Sequence, residues 1–539
     1  MTAPLRAPAP RHPWPWLLGL LLSACTEGTI VAEADVAADA DTEVVSCEGQ
    51  SRSRCVRTLA LGRRFGCAAL RDRTVWCWGR NDESQLGYES SDLCPERLAD
   101  GQTRAVACHR APQQVAGLAN VTALSAGGAH VCAVLGSGEL RCWGGNTRGQ
   151  LGTSTLLPSR APLPVPGLGR VRAVAAGANH TCAVNDEGAV WCWGANDRGQ
   201  LGAASLPGTC EAGDRRVPCA RAPVRVVGLS DVAEVVAGDA HTCARTNTGR
   251  VWCWGANQDG QLGAGTASAD PAPRPVTVLL GESPLRGVRA LAAGGEHTCA
   301  TRADDAVLCW GRHDRGQLGV AVPETFAPCA HACIPTAVPI VGHEGTPSPD
   351  GFDAGFKDLD VPAPEEDVRA PLDGGARDGS ADGATDVPRD APRDVAPDLP
   401  ARVDAAVDAS VDAAVDAAVD AAIDAGLPPP PTATGVAAGS AFSCLTLSDG
   451  TVRCWGTNRA YELGNGRVNE GGPALTAVIA SPGAAPTNPL QGVTRVASGL
   501  ATSCALLQDR SVRCWGANEM GALGIGNLSE QNGPVAMTW

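Results

Sequence analysis

Short stretches of this chain alternate small or apolar residues with a period of two, and polar turns separate them. Thr181-Cys182-Ala183-Val184 is followed by Asn-Asp-Glu-Gly and then by Val190-Trp191-Cys192-Trp193. A period of two broken by a Gly-containing polar turn predicts a β-hairpin. Pairing Cys182 with Cys192 sets Ala183 opposite Trp191 and Val184 opposite Val190, with a tight turn near 186–188. Directly opposed cross-strand residues lie about 4.5–5.5 Å apart at Cα. That is within disulfide reach.

This hairpin recurs seven times. The predicted hairpin disulfides join Cys67 with Cys77, Cys132 with Cys142, Cys182 with Cys192, Cys243 with Cys253, Cys299 with Cys309, Cys444 with Cys454 and Cys504 with Cys514. Each second cysteine precedes Trp-Gly. Second cysteines are spaced by 65, 50, 61, 56, 145 and 60 residues. Removing the 88 residues 344–431 shortens the long spacing to 57, so this segment is an insertion between repeats five and six.

The Gly-x-x-His-Thr, Gly-x-Val and Trp-Gly-x-Asn-x-x-Gly-Gln-Leu-Gly elements resemble the superfamily of the regulator of chromosome condensation and β-lactamase-inhibitor protein II. The resemblance covers residues 56–343 and 432–539. It implies an all-β fold, a single seven-bladed β-propeller of four-stranded blades. Phe65, Phe442 and Thr502 replace the histidine in repeats one, six and seven. Repeats six and seven read Tyr461-Glu462-Leu463-Gly464 and Gly521-Ala522-Leu523-Gly524 in place of Gly-Gln-Leu-Gly, which predicts less regular blades there.

The chain has 23 cysteines, an unusual load for a reducing compartment. Arg6 and Arg11 precede the apolar run Trp14–Leu22, too short to span a bilayer as a helix. It fits a secretory signal. Leu22-Ser23-Ala24-Cys25 resembles the lipobox of bacterial lipoproteins, in which the cysteine becomes the lipidated first residue. Residues 1–24 are therefore expected to be a signal peptide, with Cys25 the lipid-attachment site and 25–46 an acidic tether. The expected location is the bacterial cell envelope, at the outer membrane or cell surface. Thr26, rather than Asp, follows the cysteine and agrees with this.

Besides Cys25 and the hairpin pairs, eight cysteines remain. The simplest assignment joins Cys47 with Cys55, Cys94 with Cys108, Cys210 with Cys219, and Cys329 with Cys333. Metal ligation by His180, Cys182 and Cys192 is the rival. It is disfavoured because the histidine is absent from three repeats while the cysteine pair never is, and no paired Cys-x2-Cys knuckles occur. Cys329-Ala-His331-Ala-Cys333 is a lesser metal candidate.

Net charge is −15, and residues 344–430 carry all of it, with 21 acids against 6 bases. Lys357 is the chain's single lysine, so the Asp repeat at every fourth position of residues 403–424 has no lysine to offset like-charge repulsion on a helix. The segment 344–431 reads as a disordered acidic insertion between propeller repeats 1–5 (47–343) and 6–7 (432–539). The rest is nearly neutral, without the clustered basic footprint that nucleic acid requires.

No catalytic constellation emerges, and no enzyme activity, cofactor or metal is expected. His130, His180, His241 and His297 sit at equivalent repeat positions, which marks packing rather than catalysis. Trp76, Trp191 and Trp252 also recur and are expected in the core. Asp304 and Asp305 are expected to be solvated in a turn.

The loops after each Gly-Gln-Leu-Gly differ, over 88–114, 153–166, 203–224, 264–286 and 320–343. Variable loops on a rigid core are where recognition resides. The chain thus reads as a monomeric binding scaffold for a protein or glycan, touching the membrane only through its anchor, with Arg104, Arg110, Arg215 and Arg216 as candidate contacts. Two alternatives are inhibition of an extracytoplasmic enzyme, by fold analogy, and a structural envelope lipoprotein without a specific ligand. The nucleotide exchange promoted by eukaryotic relatives does not fit an exported chain.

Overall fold

The computed structural model describes residues 56–97, 100–203, 206, 208–212, 215–320, 329–340, 430–468, 471–485 and 487–539. Cys25, the leader and tether, the pairing of Cys47 with Cys55 and all but the end of the acidic insertion lie outside them.

Each repeat folds into its own sheet, seven in all, antiparallel except for one parallel pairing, Leu280 with Ala337, in blade five. In the third blade Val171–Ala176, His180–Asn185, Val190–Ala195 and Arg215–Arg225 follow one another outward in chain order. Cys182 lies opposite Cys192, Ala183 opposite Trp191 and Val184 opposite Val190. The same register holds in every other hairpin. Cys67 lies opposite Cys77, Cys132 opposite Cys142, Cys243 opposite Cys253, Cys299 opposite Cys309, Cys444 opposite Cys454 and Cys504 opposite Cys514. All seven pairs are disulfides with Cα–Cα distances of 4.1 Å.

The count of four strands per blade is exceeded in three places. Blades one and three gain a fifth strand, Leu93–Arg97 and Thr209–Ala212, from their variable loops. Blade five gains Leu279–Leu280 and Ser283–Pro284 from the connection after blade four. Composition and repeat pattern do not reveal these additions, because the loops lack apolar alternation.

The Trp-Gly pair explains how the blades meet. In all seven repeats the glycine takes φ of +100° to +111°, where a side chain is strained. The pairing with the fourth strand slips at this glycine, between Cys192 and Gly194 in blade three. The tryptophan before it is fully buried, and its indole N–H crosses to the preceding blade. Trp143 donates to Gln85 O at 3.1 Å, Trp193 to Gln150 O at 2.9 Å, Trp254 to Gln200 O at 2.9 Å and Trp310 to Gln261 O at 3.1 Å. Trp455 reaches Gln317 O and Trp515 reaches Glu462 O, both at 2.9 Å. Trp78 closes the ring onto Ala522 O at 2.7 Å.

Blades six and seven are accordingly as regular as the rest, contrary to the expectation from their altered motifs. The seam uses the main-chain carbonyl of the Gln position, which Glu and Ala supply equally. Glu462 also accepts from Ala460 N at 2.7 Å, as Gln150 accepts from Arg148 N at 2.8 Å.

The other repeated tryptophans behave differently. Trp76 is 9% exposed and meets Trp539 edge-on, but Trp191 and Trp252 are only half-buried. They stand on the flank of the blade rather than in its centre.

Candidate functional site

The repeated histidines form an internal ladder. His130, His180, His241 and His297 are fully buried. Their Nε2 atoms lie 2.8–2.9 Å from Thr181, Thr242, Thr298 and Ser443 of the following blade. Thr181 in turn donates to Gln150 O at 2.8 Å, so its oxygen is left to accept from the His130 Nε2–H. Nδ1 of each ring has no partner. Burial pushes these imidazoles down, His130 and His241 to about 4 and His180 and His297 to about 3. They are neutral structural groups at physiological pH. Each of the four histidines faces a hydroxyl of the next blade, whereas Phe65 shares its apolar cluster with Val131 of the next blade. The glycine three residues before each histidine is required by contact. A Cβ on Gly177 would lie 2.2 Å from His180 Cε1 and 2.5 Å from Gly238 O.

The strand ends define two faces. On one lie the turns between first and second strands, such as 177–179, and the variable segments between third and fourth strands. Gly194 is opposite His180 and Ala195 opposite Cys219, which brings these two sets of loops together. Three of the variable segments are stapled by Cys94–Cys108, Cys210–Cys219 and Cys329–Cys333. Two of them are β-hairpins rather than irregular loops.

Of the candidate contacts, Arg215 and Arg216 are exposed near the tip of the second hairpin, opposite Ala212 and Glu211. Arg104 is tied to Glu96 at 2.7 Å, with Arg80 at 2.6 Å and Arg64 at 3.2 Å on the same carboxylate. Burial alone would raise the Glu96 carboxyl; the Arg104 and Arg80 guanidiniums outweigh it and hold it below the usual carboxylate range. Arg110 belongs to the seam between the first and last blades. Its carbonyl accepts from Gly526 N at 3.0 Å, and its Cα lies against Gly521. Asp304 and Asp305 are not simply solvated, since they pair with Arg302 at 2.6 Å and Arg289 at 2.9 Å.

His331, inside the Cys329–Cys333 loop, sits 2.8 Å from the buried Asp259 of blade four. Among the described residues no three His, Cys, Asp or Glu side chains converge as a metal site requires.

On the ring axis is a cavity of about 330 Å³, lined by the innermost strands and turns of all seven blades. Among the described residues, Arg63 and Asp239 are its only charged lining groups. No motif marks them. Aligning the seven turns sets Arg63 and Asp239 against Gly128, Ala178, Gly295, Ser440 and Leu500, and that comparison exposes the two charges.

The RCC1-like domain family matches residues 27–349, and the regulator of chromosome condensation repeat matches 433–461 and 493–522. The mitochondrial RCC1 domain-containing protein RUG3 of Arabidopsis thaliana is 29% identical over 270 residues, 49% of this chain and 44% of that protein. The match thus spans less than half of that relative's length. Human WBSCR16 shares the fold with a TM-score of 0.58 at 18% identity, covering 87% of this chain and 94% of that one. Prp20p of Saccharomyces cerevisiae, studied for its binding to Gsp1p and histones, gives a TM-score of 0.53 at 17% identity, with 84% and 82% covered.

Proposed function

This chain belongs to the RCC1-like propellers, a kind of fold that serves as a protein-interaction scaffold, and on that premise we propose that it is a lipid-anchored, extracytoplasmic binding scaffold without catalytic activity of its own. The partner is a protein or glycan met by the face that carries the disulfide-stapled segments.

The observation that carries this reading is the sidedness of the chain. The stapled segments 93–108, 209–219 and 329–333 share one face of the ring. The chain enters the first blade at Val56, opposite Leu70, at the far end of that blade from the turn at 62–64. The acidic insertion leaves and returns at this same far end: Ile340 N donates to Val307 O, and Thr432 and Ser448 bond reciprocally. The first described residue, Val56, and the two flanks of the insertion, Ile340 and Thr432, thus lie on one face, and the stapled hairpins stand on the other. An anchor at Cys25 leaves the hairpin face free to meet a partner. Disulfides lower the ordering cost of binding.

Two measurements test the reading. Cys25→Ser should release the protein from the membrane fraction; a variant that still pellets at high salt would refute the anchor. Immobilised wild type and a double variant, Arg215→Glu with Arg216→Glu, should then be compared for capture from an envelope extract. Loss of a captured species with the variant supports the hairpin face. Undiminished capture places binding elsewhere, and turnover of a hydrolase substrate panel would overturn the scaffold reading.

A further inference from the structure

The axial cavity has a polarity that the repeat fold does not require. Along one half its wall is apolar, formed by Leu59, Leu124, Val174 and Val235 from the innermost strands. At the other end, on the hairpin face, the seven inter-strand turns surround the mouth. Five of them place Gly, Ala, Ser or Leu there, and two place opposite charges, Arg63 on blade one and Asp239 on blade four.

These two side chains meet across the mouth. Arg63 Nη2 lies 3.4 Å from both carboxylate oxygens of Asp239. The pair joins blades that are not neighbours. Both partners remain about half exposed, at 49% and 46%. A long, solvated ion pair of this kind contributes little to stability. Its separation therefore costs little, which leaves both partners available to incoming groups of opposite charge. A volume of about 330 Å³ is at the small end of ligand pockets, which are characteristically apolar with a few convergent polar groups.

We propose that this cavity is a binding site for a small zwitterion with an apolar tail, of the class of the aliphatic α-amino acids. Its carboxylate replaces Asp239 on the Arg63 guanidinium, and its ammonium takes the Asp239 carboxylate. Its side chain points down the axis toward Leu59, Val174 and Val235. The site is separate from the hairpins offered to a macromolecular partner, and it does not depend on the scaffold reading.

The test is calorimetric titration of the full chain with L-leucine, with leucine amide, which lacks the carboxylate, and with N-acetyl-leucine, which lacks the ammonium. Leucine should bind, and each analogue should bind roughly tenfold or more weakly, in line with the loss of a charged hydrogen bond. Arg63→Ala should weaken leucine by a similar factor while leaving leucine amide nearly unchanged, and Asp239→Ala should do the same for N-acetyl-leucine. Arg63→Lys keeps the charge and should retain most of the affinity. This cross-pattern separates direct contact from damage to the fold, which thermal melting of each variant monitors independently. Absence of leucine binding at millimolar concentration, or equal binding of all three ligands by wild type and variants, overturns the proposal.

Discussion

The indole of Trp78 in the first blade donates to the carbonyl of Ala522 in the last, 444 residues along the chain and 2.7 Å away. Six other tryptophans make the same bond to the blade before them, so ring closure is one more copy of a seam rather than a special latch. Trp78→Phe keeps most of the buried surface and leaves that carbonyl unsatisfied. The expected loss is about 1–3 kcal/mol, read as a lower midpoint in denaturant unfolding. Trp191→Phe is the control. Trp191 is half-buried and its Nε1 has no partner, so it should shift the midpoint far less.

The histidine ladder makes stability fall in acid. The folded-state pKa values, about 3 to 4, lie below the ordinary histidine value of 6.5. The unfolded chain therefore binds more protons between them. This contribution is complete above about pH 6.5 and is lost as pH drops to about 4 for His130 and His241 and to about 3 for His180 and His297, by on the order of 1.4 kcal/mol per pH unit for each histidine. Melting temperatures across that window should decline for the wild type and decline less steeply for His180→Gln. An unchanged slope would show that other groups govern the acid limb.

Peptide mapping without reduction should recover Cys182 with Cys192 and the six equivalent pairs, and Cys94 with Cys108 in the first hairpin. A link from one blade to the next would contradict the register. Replacing Cys182 and Cys192 together by alanine should cost roughly 2–3 kcal/mol in the chain-entropy account.

Deleting residues 346–429 should leave a folded propeller with a nearly unchanged melting temperature. The segment joins neighbouring blades on one face, and loop-closure cost rises by only about 0.6 kcal/mol per doubling of length. A large loss of stability, or two transitions in place of one, would show that the segment contributes to packing.

The hairpin register is legible in the sequence because alternation and an opposed cysteine pair specify it twice over. Blade number is legible for the same reason. The histidine ladder is legible only in part. Repetition argues for a structural role, but the pairing of His130 with Thr181 crosses between blades and exists only once neighbouring blades are docked. The regularity of blades six and seven is hidden by their motifs, because a side-chain change at Glu462 or Ala522 leaves the main-chain acceptor untouched. A place in a variable loop makes Arg110 a candidate contact, and only the closed ring shows that its backbone also packs against Gly521 of the last blade. The charges of Arg63 and Asp239 stand out once the seven turns are aligned, but their contact across the axis does not, because it joins residues 176 apart and carries no local signature.

Every disulfide among the described residues closes within its own blade, and none stitches one blade to its neighbour. Under mechanical load the oxidised ring therefore has strong beads and weak joints. Stretched from its two ends, it would part at the tryptophan seams while each hairpin stayed locked. A cysteine pair separated by 10 residues withholds that length from the extending chain, roughly 30 Å per blade at full extension. Reduction would return this hidden length, so a force–extension trace of the same molecule would lengthen in discrete increments as its hairpins opened.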